Sequence, residues 1–315
     1  MNRKLLLAFN GGGCLVTSTA VWLDRLVKSQ HINLNRIFSF SGTSSGSILA
    51  AALCKPNPID TEEIADLTST VTSEIFGKKR IDWLPGWANT IISSSKYKTK
   101  RLKEVLEYHL GGNQVKLGDC PKNLVIPAWD ITGKLTTSKV AGPVFFHNHK
   151  PLFNKDRLEW PLYEVVAASC SAPTYFEASN FRNHSLCDGG IVENTSALAN
   201  FAICRDRYRG LPVRLKDVAI LSMGNGSKSH VQKQNLSGWK TPGMVENLVA
   251  SLTQGGTELS KRVLSGVCNN SFHRLEPTLP FEAGLDEYKK VPRVKQWAKG
   301  VDLSKTESWC EGYFR

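Results

Sequence analysis

Apolar positions fall in short uninterrupted runs between polar, glycine-punctuated stretches. Residues 4–10 carry the run Leu5–Phe9 and end in three glycines, which predicts a buried strand entering a tight loop. Over 17–30, Val21, Leu23, Leu26 and Val27 recur at helical spacing. Residues 37–41 predict a second short strand, and the alanine-rich apolar stretch 47–54 a buried helix. A β-α-β-α start of this kind predicts a mostly parallel sheet. Residues 61–110 read as helical, interrupted by a Trp- and Pro-containing stretch. Further on, 123–130 predicts a strand, 136–140 a weaker one, and 161–169 a helix with proline at its start. Residues 182–187 predict a strand running into Asp188-Gly189-Gly190, and 218–222 another before a glycine-rich turn. Residues 241–267 predict a long helix, and the remainder is mixed. No internal repeat or low-complexity linker divides the chain, so one α/β domain over 1–315 is expected.

Composition removes several alternatives. At 315 residues, 41% hydrophobic and 22% charged, the chain can bury a large core, and wholesale disorder is excluded. The N-terminal apolar run is too short for a signal-peptide core, and no stretch approaches a membrane span, so a soluble cytoplasmic chain is expected. The eight cysteines form no CxxC pair and no zinc spacing with histidine, so neither metal nor other cofactor is expected. Their scatter through apolar positions suits a reducing compartment. The formal charge of +12 is spread over both halves without a basic tail. It favours an anionic partner surface, lipid headgroups or nucleic acid, without choosing between them.

Candidate chemistry begins at Gly42-Thr43-Ser44-Ser45-Gly46, a GxSxG sequence between a predicted strand and a predicted helix. A sharp strand-to-helix turn projects the third residue, Ser44, as a nucleophile, and the helix N-terminus favours developing negative charge. Gly11-Gly12-Gly13 follows the first strand and should reach the same sheet edge, with backbone N–H groups available to an oxyanion. The loop is neither GxGxxG nor a P-loop. A serine nucleophile needs a base. None of the seven histidines sits in a recognisable catalytic context. Asp188, at a strand end, is the other candidate, since a carboxylate within hydrogen-bond reach can act as base directly.

Taken together, the ordered motifs resemble the patatin-like phospholipases. Gly11-Gly12-Gly13, Gly42–Gly46 and Asp188-Gly189-Gly190 are supported by Pro127-Ala128-Trp129-Asp130-Ile131, Ala168-Ser169-Cys170-Ser171-Ala172-Pro173-Thr174-Tyr175-Phe176 and Leu221-Ser222-Met223-Gly224-Asn225-Gly226. The resemblance spans roughly residues 4–226. It implies a three-layer α/β/α fold with a central, mostly parallel sheet. It also implies a Ser44–Asp188 dyad without histidine, an oxyanion hole from Gly11, Gly12, Gly13 and Cys14, and supporting glycines at 42, 46, 189 and 190. The implied activity is metal-free hydrolysis of acyl esters in glycerophospholipids or related lipids. A membrane-degrading bacterial effector role is compatible with it. The chain departs from the family's Asp-Gly-Gly-Gly-x-Arg-Gly: Asn10 replaces the aspartate, and Leu15 and Val16 replace the arginine and last glycine.

The resemblance selects a phospholipid surface, anionic by charge, over nucleic acid as the expected partner, with peripheral membrane attachment. Lys78, Lys79 and Arg80 beside Trp83 and Trp87 are the candidate membrane contact, because cations meet headgroups and tryptophan prefers the interface. The basic segment 289–299 is read first as a solvated face. A soluble-ester esterase or thioesterase with the same dyad, and a catalytically silent lipid or nucleotide sensor, are the competing readings. A regulatory small molecule or nucleotide and a homo-oligomer stay open as further partners.

Overall fold

A computed structural model describes residues 3–77, 95–149, 155–206, 213–226 and 244–314. Strand β1 (Lys4–Phe9) lies at the centre of the sheet. It pairs in parallel with β2 (Ile37–Gly42) on one side and β7 (Val218–Met223) on the other, and β7 pairs in parallel with β8 (Phe272–Leu275). A strand covered on both faces reads as a continuous apolar run. Alternation still decides the layers, because successive side chains point to opposite faces. Leu5, Leu7 and Phe9 pack with helices α1 (Val16–Lys28), α2 (Ser45–Cys54), α3 (Thr61–Phe76) and α4 (Thr99–Leu110). Leu6 and Ala8 pack on the other face with residues of α6 (Ala197–Arg205) and α7 (Met244–Cys268). The expected three-layer α/β/α architecture with a central, mostly parallel sheet follows.

Strand β3 (Asn123–Asp130) joins the parallel and antiparallel parts. Its first half pairs in parallel with β2, through Ser41 opposite Val125. Two antiparallel partners, β4 (Gly142–His147) and β6 (His184–Asp188), also bind it. The β4 ladder overlaps both the β2 and the β6 ladders on β3, so β2 and β6 must share the opposite edge. They approach that edge from opposite directions and meet end to end. Ser41 faces Val125 and Asp188 faces Ala128, three residues or about 10 Å along β3. The β5–β6 hairpin (β5, Ser179–Phe181) turns through Arg182 and Asn183, both at positive φ.

Most expected elements are present, with one shifted. The expected strand at 136–140 is a turn, and the strand forms at Gly142–His147 instead. Asp130 causes the difference. Its Oδ1 accepts from the Thr132 N–H (2.9 Å) and hydroxyl (2.6 Å), and its Oδ2 from the Leu135 N–H (2.7 Å), so the chain curls at once after β3. The Thr136 hydroxyl then donates to the Val140 carbonyl (2.7 Å). The long helix begins at Met244, and residues 241–243 lie outside the described residues.

Helix α8 (Val291–Gly300) also clarifies the basic segment. Val291, Val294 and Ala298 are buried, and the Trp297 ring lies 5.4 Å from that of Trp22. Lys295 pairs with Asp66, Lys290 with Glu287 (3.0 Å), and Arg293 sits 4.2 Å over the Phe281 ring. These charges belong to an amphipathic helix docked on α1.

Candidate active site

The turns after β1, β2 and β7 leave the carboxyl edge of the parallel strands, and β6, running the opposite way, ends against the turn after β2. Active sites of parallel sheets form at such carboxyl ends. Ser44, between β2 and α2, has φ 51° and ψ −131°, a conformation that non-glycine residues rarely adopt. The turn closes so tightly that a Cβ on Gly42 would lie 2.1 Å from the Gly46 carbonyl oxygen. One on Gly46 would lie 2.5 Å from the carbonyl oxygens of both Phe9 and Asn10. These contacts explain the two glycines of the motif physically. The Ser44 N–H donates to Ser169 Oγ (3.0 Å), whose hydroxyl donates to the Pro127 carbonyl (2.6 Å), tying the elbow to the α5 (Leu162–Cys170) and β3 elements. The Thr43 hydroxyl donates to the Glu193 carbonyl (2.7 Å).

The end-to-end meeting of β2 and β6 brings Ser44 and Asp188 to the wall of one cavity, with the Ser44 side chain close enough to help lower the Asp188 pKa. Asp188 is only 5% exposed. Burial raises its pKa to about 6, while the Gly190 N–H, donating to Oδ1 at 2.6 Å, and the Ser44 hydroxyl partly offset that rise. Gly189 packs under the Pro127 carbonyl, where a Cβ would lie 2.2 Å from its oxygen. Among the described residues, no histidine lines the cavity in front of Ser44.

The glycine loop is more committed than its sequence implies. The Gly11 N–H donates to the Asn194 carbonyl (3.1 Å) and the Cys14 N–H to the Leu285 carbonyl (2.7 Å). Both groups are thereby withdrawn from the four-residue oxyanion set expected from sequence. The Gly12 N–H donates to Ser45 Oγ (3.0 Å), a hydroxyl that can rotate away. The Gly13 N–H has no acceptor among the described residues. Gly13 has φ +54°, and a Cβ there would strike the Leu285 carbonyl oxygen at 2.1 Å. The Gly11 carbonyl in turn accepts from Asn194 Nδ2 (3.0 Å) and Asn225 Nδ2 (2.8 Å).

The cavity measures about 790 Å³. Ser44, Asp188 and the glycine loop line it, and Ile48, Ile75, Phe76, Leu102 and Phe176 give it an apolar wall. Sequence reasoning missed Asn194, Leu285, Arg274 and Glu276, which share the cavity or hold its loop. Their partners lie up to about 270 positions away, and no local signature marks them. The candidate membrane residues Lys78, Lys79, Arg80, Trp83 and Trp87 lie outside the described residues. Among the described residues, no helix is long and apolar enough to cross a membrane.

The family model of patatin-like phospholipase matches residues 7–200. CotR of Bacillus subtilis, which carries the name of a sporulation hydrolase, is 26% identical, with 99% of this chain aligned to 98% of that protein. The human calcium-independent phospholipase A2-gamma is 23% identical over 90% of this chain, which spans 36% of its length. The crystal structure of VipD from Legionella pneumophila aligns with a TM-score of 0.47 at 13% identity, over 99% of this chain and 67% of that one.

Proposed function

The chain belongs to the patatin-like phospholipase family, and on that premise we propose that it hydrolyses fatty-acyl esters of glycerophospholipids through Ser44 and Asp188. The observation that carries this reading is the convergence, in one cavity, of the strained Ser44 and a buried carboxylate raised to a pKa of about 6. Above that pH the carboxylate is ionised and can take the serine proton as Oγ attacks the ester carbonyl. Negative charge then develops on the carbonyl oxygen. The Gly13 N–H stabilises it, joined by the Gly12 N–H once the Ser45 hydroxyl turns aside. Collapse of this intermediate transfers the proton from Asp188 to the departing alcohol and leaves the acyl group on Ser44. Asp188 next takes a proton from water as its oxygen attacks the acyl carbonyl, and returns that proton to Ser44 Oγ as the second intermediate collapses, releasing the fatty acid and restoring both residues. The apolar wall suits a hydrocarbon chain, and the net charge of +12 suits an anionic lipid surface.

The test is a fluorophosphonate probe followed by peptide mapping, together with turnover of phosphatidylglycerol vesicles and of a short-chain soluble ester. Adduct on the peptide containing Ser44 and faster turnover at the vesicle are expected. An unlabelled Ser44 overturns the proposal. Equal turnover of the two substrates moves it to a soluble-ester esterase.

A further inference from the structure

One partly buried ion pair at the cavity takes no part in the steps above. Arg274 and Glu276 flank the end of β8, with side chains 9% and 18% exposed. Arg274 Nη2 donates to Glu276 Oε2. Its Nη1 donates to Asn10 Oδ1 (3.1 Å) and to the Ser222 hydroxyl oxygen (2.8 Å). The second carboxylate oxygen, Glu276 Oε1, accepts from the Gly226 N–H (2.9 Å). The pair therefore grips two turns at once, the one beginning at Asn10 and the one at Gly224–Gly226. Between them Asn225 donates from Nδ2 to the Gly11 carbonyl (2.8 Å), closing the circuit at the glycine loop. Fit is close throughout, since a Cβ on Gly224 would lie 1.8 Å from Glu276 Oε2.

Burying two charges is costly unless their donors and acceptors are matched, and apolar packing often serves stability equally well. Here the guanidinium supplies something apolar packing lacks, a planar fork reaching three side chains in fixed directions. One of those directions ends on the residue that opens the glycine loop. No other cation serves the loop from within its motif: Leu15, standing where the family motif carries arginine, packs instead into an apolar cluster with Leu279 and Val294.

We propose that Arg274, backed by Glu276, is a positioning residue for the oxyanion loop. It holds Asn10, and through Asn10 the path of Gly11–Gly13, so that the Gly13 N–H faces the carbonyl oxygen of an ester on Ser44. The inference rests on the acyl-hydrolase reading. It gives the segment beyond residue 226, which carries no recognisable motif, a defined part in the chemistry.

Asn10→Ala cuts the link while leaving Arg274 its Ser222 and Glu276 partners, and Asn10→Asp keeps an acceptor for it. The readouts are kcat and KM on a short-chain soluble ester, the rate of fluorophosphonate labelling at Ser44, and the pH profile. Loss of an oxyanion donor costs about 10²–10³ in kcat, so a misplaced one should cost Asn10→Ala about tenfold or more in both kcat and labelling rate. KM should stay within about twofold and the ascending pH limb should not move, because Asp188 is untouched. Asn10→Asp should recover most of the rate. Arg274→Lys, which keeps the charge but lacks the fork, should fall with Asn10→Ala, and it decides the matter if Asn10→Ala does not fold. A folded Asn10→Ala or Arg274→Lys protein with parental kcat, or an Asn10→Asp protein as slow as Asn10→Ala, overturns the inference. An unlabelled parent overturns the acyl-hydrolase reading itself, whereas a labelled parent with an unimpaired Asn10→Ala overturns only the positioning role.

Discussion

Ser44 and Asp188 make separable predictions because one carries strain and the other a buried charge. Ser44→Ala should lower turnover on the order of 10⁴-fold or more, as for other covalent hydrolases, and leave the fold intact. The neighbouring Ser45 only accepts from the Gly12 N–H, so Ser45→Ala should remain labelled by fluorophosphonate; the reverse pattern would mean that the elbow was misplaced. Asp188→Asn should cost about 10²–10⁴-fold, the usual worth of a general base. The same substitution should stabilise the protein at neutral pH. Burial raises Asp188 to about 6, whereas an unfolded aspartate titrates near 3.9. Below about pH 4 both states are protonated and burial costs no charge. Between about pH 4 and 6 the unfolded aspartate ionises while the folded one stays protonated, so stability falls across that window and levels off above it, a loss on the order of 3 kcal/mol. Asparagine never ionises, so its melting temperature should exceed the parent's at pH 8, with the gap closing toward pH 4. A constant gap would mean that Asp188 is not the titrating group. Activity of the parent should correspondingly rise with pH to a plateau above about 6. The histidines belong elsewhere. His149 is fully buried near Ser39, and burial lowers it to about 4, so it is neutral across this range. Replacement of any single histidine by glutamine should leave a folded protein active.

At the scale of elements, glycines divide into those the fold requires and those it merely tolerates. Gly46→Ala places a methyl group against two main-chain carbonyls of the β1 end, which have no rotamer to yield. It should lose activity and stability together, by at least the 1–3 kcal/mol typical of overpacking. Gly266 lies in α7, where an added methyl group would meet nothing within 4 Å, so Gly266→Ala should stabilise by up to about 1 kcal/mol through helix propensity alone. Chemical denaturation of the two variants checks the contrast. The same division explains what the sequence makes legible. Ser44 and its glycines are legible because a strand-to-helix elbow is built from adjacent residues. Asp188-Gly189-Gly190 becomes legible only in company with that elbow, because a lone Asp-Gly-Gly is an ordinary turn. The end-to-end meeting of β2 and β6 on β3 leaves no periodic trace, since pairing register lies in neither strand alone. The strand at Gly142–His147 lies beyond its expected place because Asp130 captures the N–H groups after β3, a side-chain effect that apolar alternation does not record. The commitment of the Gly11 and Cys14 N–H groups depends on the carbonyls of Asn194 and Leu285, both far along the chain.

The whole molecule depends on its C-terminal part more than its motifs suggest. All three motifs precede residue 227, and the family model ends at residue 200. The later residues nevertheless supply β8, the Leu285 carbonyl that holds Cys14, and the Arg274–Glu276 pair. They also complete both faces of the core. Leu264 and Cys268 pack beneath Leu6 and Ala8 on one side, while Val291, Ala298, Leu303 and Phe314 join the larger cluster on the other. Trp22 Nε1 and Arg25 Nη1 both donate to the Ala298 carbonyl, at 3.1 and 3.0 Å. A chain truncated after Gly226 would uncover these partners and expose β7 as an unprotected edge, an invitation to intermolecular pairing. Each large buried apolar side chain contributes roughly 1.5–3 kcal/mol, against a typical total stability of about 5–15 kcal/mol. Losing several at once exceeds what a domain can spare. The truncated chain should therefore aggregate or expose hydrophobic surface to dye, and it should take up no fluorophosphonate at Ser44 although every motif residue is present. A soluble truncated chain that labels at the parental rate would show instead that residues 227–315 are accessory, and that the glycine loop holds its shape without Leu285 or Arg274.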